Sequence, residues 1–367
     1  MTNENYITYL LGTVSDYPQK YNKYLLKLFT DERLVQKDSQ LTLDALDEEQ
    51  LFDISDMALN DAVKTTLSNK SKAITLFEKW EFVKDYKYSV LFEAKDFEQA
   101  LKIIEAYKLN QYGECDYNEL QFTGELFTQP YLYRLHDKII LKYNKTFSAY
   151  DPITGNEILL KYPFIVVFHE MFSLVEFRFD GLRKIFLSER NEQTVHPNQI
   201  KEIRDKLLNM GIELTELDLS FMKNLSDSSS HVKVLAEYRK LPNGGNAQLE
   251  VGNNEDYVLP IIGDLKDLIR KYESELHKVP LLKDALSQFI FENDELADYT
   301  WIEVIWPNEI KTRSIRVKFI FNYKGKEYTL LQHYYNNVLI GMERMNYVTK
   351  YINENRKNPQ STAETPE

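Results

Sequence analysis

Two stretches of the chain, residues 131–181 and 301–334, alternate between apolar and polar side chains with the period of two that β-strands show. Each is long enough for at least three successive antiparallel strands, and helical periodicity surrounds both. A meander must bury one of its faces against another layer. The sequence therefore predicts an α+β fold, in which a helical N-terminal region precedes two lobes of antiparallel β-meanders with packed helices.

The rest of the chain predicts how these lobes are arranged along the sequence. Tyr21, Leu25 and Leu28 recur at helical spacing, and the first 80 residues contain almost no β-type alternation. A small, polar segment at residues 226–230 is the best boundary between the lobes. We predict a helical acidic region over 1–80, an α+β lobe with a meander over 81–225, a second α+β lobe over 226–355, and a disordered tail over 356–367.

Composition limits the compartment and the class of protein. Cys115 is the only cysteine, which excludes an intramolecular disulfide and favours a reducing compartment. The first residues lack the basic and apolar parts of a signal peptide, and the longest apolar run is far shorter than the roughly 20 residues that span a bilayer. We expect a cytoplasmic protein that does not contact membrane. Lysine outnumbers arginine, as AT-rich genomes encode, which favours a bacterial origin.

The common signatures of catalysis are absent from the sequence. No glycine-rich loop has P-loop or Rossmann spacing, and the six histidines lack the spacing of zinc proteases, so we expect no cofactor and no metal. The nearest approach to a metal-dependent nuclease is the set Glu170, Glu176 and Asp180, with Arg178 in place of the usual lysine. Strand alternation predicts that Glu176 and Arg178 lie on a solvated face.

Charge is distributed unevenly in a chain whose formal net charge is −12. Residues 31–61 contain ten acidic and two basic side chains, whereas residues 311–326 contain six basic and no acidic ones. Alternation places Arg316 and Lys318 on one side of a strand whose other side is apolar, and Trp301 lies on the preceding strand. Cations beside aromatic rings can follow a phosphate backbone and stack bases. The candidate nucleic-acid-binding residues are Arg313, Arg316, Lys318, Lys324 and Lys326.

These observations together predict a non-enzymatic binding or accessory protein that acts in a complex. Its basic strand face would contact nucleic acid, and its acidic first lobe would dock a protein partner. A role in antiviral defence against phage, or in a mobile element, is a hypothesis that rests on the expected origin alone. The alternative function is that of a metal-dependent nuclease.

Overall fold

The computed structural model describes residues 3–36, 52–107, 110–112, 129–187, 194–224, 232–242, 244–251, 262–310, 313–335 and 341–356. These residues form ten α-helices and a large, mainly antiparallel β-sheet, which confirms the predicted α+β class. The chain divides into two compact units. Unit 1 comprises Met1–Lys87, Phe92–Thr215 and Tyr335–Glu343, and unit 2 comprises Tyr88–Leu91, Glu216–Tyr334 and Arg344–Glu367.

Unit 1 begins with the predicted helical region. Its helices are α1 (Asn3–Asp16), α2 (Gln19–Asp31), α3 (Leu59–Asn69), α4 (Ser71–Val83), α5 (Phe97–Ala106) and α6 (Val195–Asn209). A short parallel pair, β1 (Val35–Gln36) and β2 (Phe52–Asp53), lies between α2 and α3. The start of α5 is fixed by a local signal in its sequence, because the Asp96 carboxylate accepts a hydrogen bond of 2.9 Å from the backbone N–H of Gln99.

The sheet of unit 1 contains the first predicted meander. Its strands are β3 (Tyr88–Ala94), β4 (Asn110–Tyr112), β5 (Tyr131–Leu135), β6 (Lys138–Tyr150), β7 (Glu157–His169), β8 (Leu174–Phe179) and β9 (Leu214–Glu216). Their order is β3-β8-β7-β6-β5-β4, with β9 beside β3. The long β6–β7 hairpin turns at residues 151–155, where Gly155 adopts a φ of +69° and the Asp151 carboxylate accepts two backbone hydrogen bonds.

Helices cover both faces of this sheet. On one face, aromatic side chains meet α5 and α6: Phe97 contacts Phe168, and His196 stacks on Phe179. The other face lies under α1 and α4 and carries charged side chains, among them Glu176 and Arg178 of β8, which are almost fully buried. The prediction that these two residues face solvent was wrong. Strand β8 lies between β3 and β7, and its side chains are buried on both faces of the sheet, so neither face of this strand contacts solvent.

Helix α1 also contacts the part of β7 that β8 does not pair with. Strand β8 pairs only with residues 165–169 of β7, so the N-terminal half of β7 continues past the end of its neighbour. There the Thr13 hydroxyl accepts from the backbone N–H of Lys161 at 3.0 Å and donates to its carbonyl at 2.7 Å. Gly12 permits this approach, because a Cβ at its position would lie 1.7 Å from the carbonyl oxygen of Leu159.

Unit 2 contains the second predicted meander. Its strands are β10 (Lys233–Lys240), β11 (Asn246–Glu250), β12 (Asp298–Ile310), β13 (Arg313–Ile320) and β14 (Leu330–Tyr334). They pair antiparallel in the order β11-β10-β12-β13-β14. Strand β14 also pairs with Tyr88 and Ser89, the first residues of β3, which belong to unit 2. Its helices are α7 (Ile262–Lys271), α8 (Glu273–Leu276), α9 (Pro280–Ile290) and α10 (Glu343–Arg356). The predicted boundary at 226–230 lies outside the described residues. Of the tail predicted over 356–367, Arg356 is the last residue of α10, and residues 357–367 lie outside the described residues.

One face of the unit 2 sheet forms a core with α10. Val304, Trp306 and Val317 are fully buried on this face. The Trp306 ring meets Tyr351 of α10 edge-on, with ring centres 5.2 Å apart. Alternation turns the neighbouring residues of β12 and β13 toward the opposite face, where most side chains keep partial exposure. The face opposite α10 is therefore the part of unit 2 on which strand side chains can meet a ligand.

Candidate nucleic-acid interface

We call the face of the unit 2 sheet opposite α10 the open face. Side chains from four neighbouring strands meet on it, because Tyr238 of β10 pairs with Trp301 of β12, Glu303 with Lys318 of β13, and Arg316 with Tyr334 of β14. Directly paired residues of adjacent antiparallel strands hold their Cβ atoms about 5 Å apart on one face. The open face is defined here by Tyr238, Trp301, Glu303, Arg316, Lys318 and Tyr334.

Trp301 lies between an aromatic ring and a cation. The Tyr238 ring stacks beside it, with centres 6.3 Å apart and planes at 17°. The Lys318 ammonium nitrogen lies 3.3 Å from the centre of the Trp301 ring. This is a cation–π contact, since the face of an indole ring carries partial negative charge. An aromatic platform and a cation that could contact a phosphate therefore occupy the same spot.

A second cation rests on a second ring two residues along β13. The Arg316 guanidinium carbon lies 4.9 Å from the ring centre of Tyr334, and its Nε donates a hydrogen bond to the Glu303 carboxylate. Burial and the Glu303 charge raise the pKa of Tyr334 to about 12, so its hydroxyl keeps its proton at neutral pH. Arg316 and Lys318 lie about 7 Å apart along the strand, close to the spacing of successive phosphates in an extended strand of nucleic acid.

The local charge of the open face is positive but small. Glu303 is only 5% exposed and offsets one of the two cations. Burial lowers the pKa of Lys318, and the Glu303 carboxylate opposes that shift. Lys318 and Arg316 together therefore present about one uncompensated positive charge beside two aromatic groups.

The predicted basic residues are not all in one place. Lys324 and Lys326 lie exposed in the turn between β13 and β14. That turn follows Ile320, which pairs with Trp301, so both lysines are at the Trp301 end of the open face. Arg313 begins β13 at the opposite end, and its side chain lies outside the described residues.

The sequence alone did not reveal three members of the open face, Tyr238, Glu303 and Tyr334. Each lies on a different strand from the basic residues, and only the register between strands brings them together. Glu303 in particular was not expected, because it neutralises part of a strand that contains no acidic residue of its own. A prediction of strand pairing, in addition to strand periodicity, would have been needed to find them.

The carboxylates of the nuclease hypothesis are separated and mostly paired. Glu170 is exposed in the turn after β7. Glu176 is buried and accepts hydrogen bonds from Arg178 at 2.6 Å and from His169 at 2.9 Å, if the imidazole carries its proton on Nε2. Asp180 pairs with the ammonium of Lys84. Within the described parts of the chain, no group of three or more histidine, cysteine or carboxylate side chains is arranged to hold a metal ion.

A larger set of charges is buried in unit 1. The carboxylates of Glu78 and Glu81 on α4 contact the ammonium groups of Lys142 on β6 and Lys161 on β7, and all four side chains are inaccessible to solvent. Burial alone would raise the pKa of Glu78, but the two lysines outweigh it and lower this pKa to about 2. Two anions and two cations balance, so this buried ionic cluster has no net charge with which to attract a charged ligand.

Comparison of the sequence with protein-family models and with curated proteins finds no match. Among the helices of the described residues, none is long and apolar enough to cross a membrane. With no relative to compare, the geometry of the open face is the basis on which a function can be proposed.

Proposed function

We propose that this protein binds single-stranded nucleic acid on the open face of unit 2, without catalysing a reaction. The observation that supports this proposal is the alternation of cations and rings across neighbouring strands, with Lys318 over Trp301 and Arg316 over Tyr334. Such a surface offers both contacts that a single strand requires, a ring for a base and a cation for the adjoining phosphate.

Binding requires the Lys318 ammonium to leave the Trp301 ring. An exposed cation–π contact is worth about 0.5–1 kcal/mol, whereas a base stacked on an aromatic side chain is worth about 1–3 kcal/mol. The exchange is favourable, because the base replaces the cation on the ring and the released ammonium then pairs with a phosphate. In this mechanism the neighbouring Tyr238 ring extends the aromatic platform.

A single strand fits this surface better than a duplex does. The rings lie on a sheet face. Bases can reach them only when they are not paired with a partner strand and can leave the stack of their neighbours. The residues that define the open face all lie on strands of a sheet, and none of them belongs to a helix that could enter a major groove. We therefore expect little dependence on base sequence and a clear preference for single strands.

The test is fluorescence anisotropy with labelled single- and double-stranded RNA and DNA at two salt concentrations. We expect salt-sensitive binding of single strands, and Trp301→Leu should weaken it about ten-fold or more, the cost of one stacked base. Lys350→Gln is the matched control, because Lys350 is an exposed lysine of α10, on the helix that covers the opposite face of the same sheet. Equal affinity of all three proteins, or no binding at low salt, would contradict the proposal.

Intrinsic fluorescence gives a second, independent measurement. Of the three tryptophans, Trp80 and Trp306 are at most 5% exposed, whereas Trp301 is partly accessible. A base that stacks on Trp301 should quench the accessible part of the emission, and Trp301→Leu should abolish the quenching. Incubation with Mg²⁺ followed by gel analysis checks for cleavage, and a cleaved strand would favour the nuclease alternative.

The proposals about a protein partner, a cellular location, an origin and a defence role rest on the sequence alone. Of the ten acidic side chains in the segment proposed to dock a protein partner, five fall on residues 37–51, outside the described residues. The cytoplasmic location, the bacterial origin and the role in antiviral defence rest on composition, and the proposed binding of nucleic acid is compatible with each.

A further inference from the structure

Helices α7 and α9 of unit 2 turn their apolar sides toward solvent. On α7, Leu265 and Leu268 lie at helical spacing, and Tyr272, the residue directly after this helix, continues their stripe. Leu268 and Tyr272 are nevertheless 52% and 48% exposed. On α9 the exposed fraction reaches 85% at Leu281 and 47% at Phe289. Isolated short helices are marginal in water and normally gain stability by burying such a stripe. Apolar stripes of this length mark a surface that a partner covers.

The charge of the segment that contains α7 and α9 indicates which kind of partner these helices would bind. The whole chain has a formal charge of −12, but residues 262–291 contain five basic and five acidic residues. Two copies of this acidic protein repel each other over most of their surfaces, and the neutral segment is where they can approach. An oppositely charged partner would gain nothing from such a surface.

The order of charges along α7 favours contact between the α7 helices of two copies of the chain. Asp264 lies in the first turn and Lys271 in the last, and a spacing of seven residues places both on the same flank of the Leu268 stripe. In an antiparallel pair related by a two-fold axis near Leu268, Asp264 of one copy lies beside Lys271 of the other, and the reverse contact follows by symmetry. A parallel pair would instead bring like charges together.

We propose that α7 is the centre of a homodimer interface, with antiparallel α7 helices packed through Leu268 and with the exposed apolar side chains of α9 adding to the buried area. This inference does not depend on the proposed function.

Sedimentation velocity of the full chain over a concentration series tests the proposal. We expect a dimer with twice the chain mass of 43.4 kDa and a monomer for Leu268→Asp, which buries a carboxylate next to its own symmetry copy. Leu208→Asp is the matched control, since Leu208 is a helical leucine of unit 1 with 55% exposure, and it should remain dimeric. A wild-type monomer at about 100 µM, or an unchanged dimer for Leu268→Asp, would overturn the proposal.

A charge exchange distinguishes a specific interface from general stickiness. Asp264→Lys and Lys271→Asp each place like charges in contact across the two-fold axis, and each alone should dimerise about ten-fold more weakly, as expected for two reversed surface pairs. Mixed together they restore both opposite-charge contacts, so the mixture should regain wild-type dimer affinity. If both variants dimerise as the wild type does, or the mixture stays as weak as either variant, antiparallel α7 pairing is wrong.

Discussion

Several charged residues of unit 1 are buried together with partners of opposite charge. Glu78 and Glu81 face Lys142 and Lys161 in the buried ionic cluster, and Lys84 pairs with Asp180. Taking such charges out of water is costly, and their mutual attraction offsets the cost only while each keeps its partner. The sequence did not predict this arrangement, because each residue looks like an ordinary surface charge until its partner from a distant element is known.

Removal of one lysine from this cluster should therefore destabilise the protein strongly. In Lys161→Met, the carboxylates of Glu78 and Glu81 lose a cation while remaining buried, and we expect the free energy of unfolding to fall by about 3–5 kcal/mol. Urea denaturation at neutral pH, followed by circular dichroism, measures the loss.

Two further variants show whether charge imbalance is the cause. Lys161→Met combined with Glu81→Gln leaves one buried anion and one buried cation, so it should recover part of the lost stability. Lys95→Met removes an ion pair to Glu213 in which both side chains are more than half exposed, and it should cost less than about 1 kcal/mol. Similar losses for Lys161→Met and Lys95→Met would show that burial does not govern the energetics of the cluster.

At the level of helices, strands and turns, the sequence was sufficient to predict those features that depend only on residues close together in the chain. The Asp151 turn, the Asp96 cap of α5 and the periodicity of β6 and β7 follow from residues close in sequence, and the structure has all of them. The exposure of β8 was predicted wrongly because its burial depends on packing with parts of the chain that are distant in sequence. The open face was found only in part, since its members belong to four strands.

The contact between α1 and β7 gives a prediction in which two local rules compete. Alanine is favoured over glycine inside a helix by about 1 kcal/mol, so Gly12→Ala should stabilise an isolated α1. In the protein the added methyl group would collide with the Leu159 carbonyl, and overpacking of this kind costs about 1–3 kcal/mol or more. We expect a lower melting temperature for Gly12→Ala, measured by thermal denaturation.

The control for this prediction lies one turn further along the same helix. Ser15 is exposed, and Ser15→Ala changes helix propensity in the same direction without approaching β7. It should leave the melting temperature equal or slightly raised. A Gly12→Ala protein as stable as the wild type would mean that α1 can move away from β7 at little cost.

At the scale of the whole molecule, a polyanion must bind locally or not at all. The formal charge of −12 repels nucleic acid at long range, whereas residues 311–326 contain six basic and no acidic side chains and can attract it locally. Stacking on Trp301 acts at short range and is not screened by salt. Binding should therefore combine a modest electrostatic part with a part that does not depend on salt.

This division predicts the salt dependence of binding. Glu303 offsets Arg316, which leaves Lys318, Lys324 and Lys326 to contact phosphates. Each phosphate contact to a single strand contributes about 0.7 to the slope of log K against log salt, so we expect a slope of about −2. The variant Lys324→Gln with Lys326→Gln should reduce the slope to about −0.7, while quenching of Trp301 at saturating strand persists. Titration of labelled single strands at several salt concentrations measures both quantities, and a slope unchanged in this variant would remove the β13–β14 turn from the interface.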